Sequence, residues 1–212
     1  VLDIGRTLKL IKGALLEPEI TWRGYLPEAG DWQKTAILLT APLIILAAVL
    51  GYIIGFLGAD SSLLGIRPTV ASTLTRIVTG AIAAGVVAFI VSFLAGVFGG
   101  RHNFAYGLAA TTLAFVPGYV GQAIAWLPWI GGLLALGLFI YALVLLWRII
   151  PSYLGVTDSK RLVHYVLSLV ATVLVFALIS LLLRPLTGAG ISDPGNRLSM
   201  SAAVVDRSEL RS

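Results

Sequence analysis

Few side chains in this chain are able to do chemistry. His102 and His164 stand at the starts of apolar runs, and Asp158 lies close before the second. Two imidazoles and a carboxylate are a donor set for a zinc-like metal or a general base for a hydroxyl nucleophile. The alternative is ordinary histidines at helix ends. A facing pair of intramembrane carboxylates is not available, because Asp60 and Asp158 fall on opposite faces under the span count given below. The chain has no cysteine, and it carries neither a phosphate-binding loop nor a dinucleotide fingerprint. This inventory points to no catalytic residue, no resident cofactor and no metal, with the His102, Asp158 and His164 corner as the one enzymatic alternative.

The other candidates sit inside apolar runs. Pro117 interrupts a long uncharged stretch and frees the carbonyl of Leu113, with Thr111 and Thr112 near enough in sequence to serve it. Gln122 follows one turn later, and Tyr141 falls in the next run. Together they describe either packing contacts between helices or the polar lining of a conduit. Basic residues form a third group: Arg6, Lys9, Lys12, Arg148, Lys160 and Arg161 sit at the edges of apolar runs, where phosphate headgroups or an acidic partner can meet them.

The elements that position these groups follow from composition. The 212 residues are 58% hydrophobic and only 12% charged, about half the usual charged share of a soluble domain. Such a chain cannot cover itself in water, so its solvent is lipid. One helical crossing needs roughly 20 apolar residues. Runs of that length lie at about 35–59, 77–100 and 162–183. Between His102 and Trp147 there is no Lys, Arg, Asp or Glu. A helix that long would measure roughly 70 Å, over twice the hydrocarbon thickness, so it folds back at "WLPWIGG", giving spans at 103–127 and 130–148. The expectation is an all-α polytopic membrane protein with five transmembrane helices. Residues 1–33 form a cytoplasmic amphipathic segment, 34–184 the five-helix domain and 185–212 a polar tail. No intramembrane charge suits a coupled transporter or voltage sensor, and nothing points to nucleic acid.

Five crossings put the termini on opposite sides. Nine Lys and Arg lie on the N-terminal side against six on the other, which sets the N-terminus in the cytoplasm. In the first helix Ile4, Leu8, Ile11 and Leu15 share an arc of roughly 60°, with Arg6, Lys9 and Lys12 outside it. That helix lies on an anionic leaflet or docks on the bundle or another subunit. Pro18 ends it, and Trp22, Tyr25 and Trp32 follow as aromatic anchors. The first thirty residues are not a signal peptide, so the first span is expected to act as the targeting signal. Small residues four apart (Gly51 and Gly55, Gly80 and Ala84, Gly96 and Gly100) support close helix packing or self-association.

The segments "LLEPEITWRGYL", "YGLAATTLAFVPGYV", "WLPWIGG" and "FIYALVLLWRIIPSYLGVTDSKRLVHYVLSLV" together resemble the Yip (Ypt-interacting protein) domain family in its compact bacterial form. The matching positions are Tyr106, Gly107, Pro117, Pro128, Gly131, Tyr141, Gly155, Val156 and Lys160. The resemblance implies a five-pass domain with a cytoplasmic N-terminus, here in a bacterial inner membrane. It also implies a trafficking-type role, with a small GTPase as a partner by resemblance only. The reading that follows is a non-enzymatic organiser or adaptor, in contact with lipids, other membrane proteins or its own copies. A lipid or small-solute conduit is the alternative, and an enzyme at the His102 corner the second.

Overall fold

The computed structural model describes residues 3–57, 68–127 and 130–183. Among them every regular element is helical. Two short helices come first, α1 (Ile4–Leu16) and α2 (Pro18–Tyr25). Asp3 caps α1 by accepting from the Arg6 N–H, and Pro18 opens α2, where its missing N–H costs nothing. Span one is continuous from Trp32 to Leu57. It starts as α3 (Trp32–Thr35), passes through a π-helical turn (Ala36–Thr40) and continues as α4 (Ala41–Leu57). The π turn has a local cause: Pro42 cannot donate to the carbonyl of Leu38, and the helix widens just ahead of it.

The second span is α5 (Val70–Val97), started by a reciprocal capping box between Thr69 and Ser72. Then come α6 (Phe104–Ala114) and α7 (Val116–Ile124), a pair bent by 47° at Phe115. Finally α8 runs from Gly131 to Leu154 and α9 from Asp158 to Leu183. Among the described residues four helices are long and apolar enough to cross a membrane, and five do so if the bent pair counts as one span. The protein is therefore an all-α, multi-pass integral membrane protein.

The helices run past the spans that hydropathy sets. The helix that carries span two starts at Val70, ahead of 77, and the one that carries span five at Asp158, ahead of 162. Span four runs to Leu154, straight through Pro151. A helix crossing the interface does not stop where its apolar stretch stops; backbone hydrogen bonding carries it on to the next cap. Here that cap is Gly155 at φ +65°, a left-handed position that suits glycine. The stretch 149–161 left between the two expected spans thus shrinks to a loop at Gly155–Thr157. At the other corner, Pro128 and Trp129 lie outside the described residues, as do Asp60 and the tail 185–212.

The chain divides into two units, Val1–Thr172 and Val173–Ser212. In the first, the core gathers at the α1–α2 end: Leu39, Leu113, Leu145, Ile149, Tyr153 and Leu154 are fully buried. The outer parts of the spans carry exposed Leu74, Ile82, Leu133 and Phe139, the surface expected against acyl chains. Close approach of α5 and α6 depends on Gly107, where a Cβ would stand 2.6 Å from the Ala88 carbonyl. The small pairs act within the chain. A Cβ at Gly55 would lie 2.9 Å from the Trp126 ring, one at Gly80 3.1 Å from Ile44 and one at Gly96 2.7 Å from His102.

Candidate functional site: the hairpin-capped end

The α1–α2 hairpin covers one end of the bundle, and its docking face differs from its apolar arc. Thr7, Ile11 and Ala14 are buried, whereas Ile4 and Leu8 are 65% and 54% exposed. Only Ile11 belongs to both sets. The helix thus presents one face to the bundle and turns the rest of its apolar stripe outward. Trp22 and Tyr25, expected as interface anchors, are core residues at 3% and 1% exposure. Trp32 alone of the three stays half exposed.

Polar bonds pin the hairpin. Thr7 donates to the Leu38 carbonyl at 2.9 Å, a carbonyl to which the residue four places on, Pro42, has no N–H to give. Tyr25 and Thr35 share a hydrogen bond at 3.0 Å, and Tyr153 donates to the Trp22 carbonyl at 2.8 Å. Glu28 pairs with Arg6 of α1 and with Lys34 of span one, the latter at 2.6 Å. The hydrogen bond from Lys34 holds the Glu28 carboxyl below its ordinary range, with Arg6 assisting against the effect of burial. Burial pushes the Tyr25 phenol up, so it stays a neutral hydroxyl.

A second proline is served in the same manner. Pro151 frees the Trp147 carbonyl, and the Arg161 Nε donates to it at 2.9 Å. The guanidinium also lies 4.3 Å above the centre of the Trp147 ring and 3.4 Å from Asp158. Arg161, read from sequence as a partner contact, is an internal helper that lets α8 pass through a proline.

The six basic candidates therefore split. Arg6 is paired with Glu28, Arg148 with Glu19, and Arg161 with Asp158 and Trp147. Lys9, Lys12 and Lys160 are exposed and have no carboxylate partner among the described residues.

The other candidates are placed differently from their expected roles. His164 is fully buried, its Nε2 3.0 Å from the Val91 carbonyl and its ring edge-on to Phe98. His102 is exposed against Phe93, and Asp158 is engaged by Arg161. Among the described residues no group of three His, Asp or Glu comes together that could hold a metal, so the corner is not assembled. One helix turn buries His164 against α5 while the start of the α6 span leaves His102 outside.

Pro117 is buried and sits at the start of α7, where the backbone is already broken at Phe115. The threonines do not serve Leu113: Thr111 donates to the Gly107 carbonyl at 2.8 Å, and Thr112 bonds Thr40 at 2.9 Å. Gln122 is exposed, and Tyr141 is exposed with its hydroxyl 3.5 Å from the Leu15 carbonyl. The inward orientation that a conduit requires of them is absent, because the inner face of this bend is taken by Val116, Gly118, Gly121 and Ala123.

Sequence reasoning missed Arg23 and Glu19 and read Trp22 only as an interface anchor. They line a cavity of about 90 Å³ together with Arg148, Ser152 and Tyr153, between α2 and the end of α8. Only the excess of charged and aromatic residues in "EPEITWRGY" hinted at it. The family model described as Yip1 domain matches residues 12–181. No curated protein and no solved structure matches the chain.

Proposed function

This chain belongs to the Yip1 domain family, and on that premise we propose that it is a non-enzymatic membrane organiser or adaptor working through the hairpin-capped end of its bundle. We assign this end to the cytoplasm of a bacterial inner-membrane protein, from the excess of Lys and Arg on the N-terminal side. The observation that carries the reading is the division among its cations. Three are neutralised in holding the platform together, while Lys9, Lys12 and Lys160 project from it unpaired among the described residues. Exposed ammonium groups on a fixed scaffold favour an acidic protein surface and add little to stability themselves. A trafficking-type partner, a small GTPase among them, is suggested by the family alone.

The test is co-purification from native membranes of the intact chain and of a Lys9→Glu, Lys12→Glu, Lys160→Glu variant. The partner set should be lost while thermal stability is retained. An unchanged partner set in the well-folded variant would overturn the reading.

A further inference from the structure

We propose that the cavity between α2 and α8 binds a phosphate group, carried by a lipid headgroup or free in solution. Two guanidinium groups from different helices, Arg23 and Arg148, line one cavity of about 90 Å³. That is room for several water molecules, which suits a tetrahedral anion. Guanidinium groups match phosphate oxygens in geometry as well as charge. Arg23 is exposed and has no carboxylate partner among the described residues.

Trp22 forms part of the same wall and is 3% exposed; its indole N–H is buried away from the cavity space and has no hydrogen-bond partner among the described residues. The Ser152 hydroxyl adds a donor on the wall, while the Tyr153 hydroxyl is already committed to the Trp22 carbonyl.

Position connects the cavity to the bilayer. Val144, one turn before Arg148 on α8, is 48% exposed, and Leu16 at the end of α1 and Ile20 on α2 are each 69% exposed. Apolar surface thus runs up to the cavity and gives way there to charge, the order in which a phospholipid presents its chains and its phosphate. Glu19 is the competitor: it lines the cavity and holds Arg148. An arriving phosphate would exchange with it for the guanidinium. Because the walls come from α2 and α8, occupancy would tie the hairpin to the bundle.

Two probes test the site on the full chain: phosphatidic acid in phosphatidylcholine nanodiscs, followed by native mass spectrometry, and inorganic phosphate, followed by calorimetry. Arg23→Gln and Arg148→Gln should each weaken binding about tenfold or more, with partial recovery in the Lys variants. Glu19→Gln should strengthen binding severalfold by releasing Arg148, whereas a merely structural Glu19–Arg148 pair predicts no gain. Phosphatidic acid retained against excess inorganic phosphate identifies a headgroup site. Inorganic phosphate bound without retained lipid identifies a free-phosphate site. Binding of neither probe, or equal binding by folded Arg23→Gln and Arg148→Gln variants, overturns the proposal. The Lys9, Lys12, Lys160 variant should bind phosphate as the parent does, so loss of a partner and loss of this site are separable.

Discussion

Thr7→Val isolates one hydroxyl that the fold needs for a reason visible in its neighbours. Thr7 is 5% exposed, and its hydroxyl lies 2.9 Å from the Leu38 carbonyl and 3.0 Å from the Asp3 carbonyl of its own helix, of which the first is the tertiary contact. Pro42 stands four residues after Leu38 and has no N–H to give it. Valine keeps the volume and branching of threonine, so no cavity opens and the loss is the hydrogen bond together with a stranded carbonyl. A buried acceptor left unpaired costs about 1–3 kcal/mol, and polar contacts between membrane helices average nearer 0.6 with a maximum of about 1.7. The expected cost is therefore about 1–2 kcal/mol. At about 2–4 °C per kcal/mol for a chain of this size, thermal unfolding in detergent, followed by circular dichroism, should shift down by several degrees. Pro42→Ala restores an N–H four residues after Leu38, in position to serve that carbonyl once the turn tightens to α-helical pitch. In that background Thr7→Val should cost under about 0.5 kcal/mol, the remainder being the coupling that a double-mutant cycle measures. Thr75→Val is the control, since that exposed hydroxyl only shares a carbonyl within its own helix. Equal losses from Thr7→Val with and without Pro42, or no loss at all, would refute the assignment of Thr7 as the stand-in donor.

Other outcomes follow from the same structure. Gly107→Ala should destabilise by about 1–3 kcal/mol through overpacking against Ala88 and Ser92. Gly85→Ala and Gly137→Ala, where a Cβ meets nothing within 4 Å, should be neutral or gain up to about 1 kcal/mol; a unfolding series in detergent checks that the signs differ. Because the folded Glu28 pKa is lowered, its ion pairs contribute fully above the unfolded value of about 4.3. That contribution should fade as pH falls through the folded value, and Glu28→Gln should remove that part of the acid dependence in a stability–pH profile. Gly155→Val should cost about 1–2 kcal/mol because φ is +65° there, and Gly155→Asn should cost less, both read from thermal midpoints.

Much of the architecture was legible because it is local. An uncharged stretch too long for one crossing must turn back, and a proline within it must break a helix. Both inferences rest on chain geometry and need no partner. Helix ends were less legible, as α8 shows: Pro151 reads as a terminator, yet the helix continues to Leu154 because Arg161, on the next helix, serves the carbonyl that the proline frees. Pro42 gave no signal at all without Thr7 in view. Both cases turn on a side chain from elsewhere in the chain completing a local defect, and no window of sequence contains that pair.

The candidate site divides along the same line. Sequence by itself determined that lipid is the solvent, that the chain crosses it through helices and that basic residues gather at the run ends, since these depend on composition and on a fixed rise per residue. Tertiary structure decided which cations are consumed in ion pairs, which face of α1 is buried, that Gln122 and Tyr141 point outward, and that Arg23 and Arg148 share a cavity. Those are questions of which groups meet across separate helices. Their answers come from packing and desolvation summed over the whole bundle, not from the spacing of residues along any one of its parts.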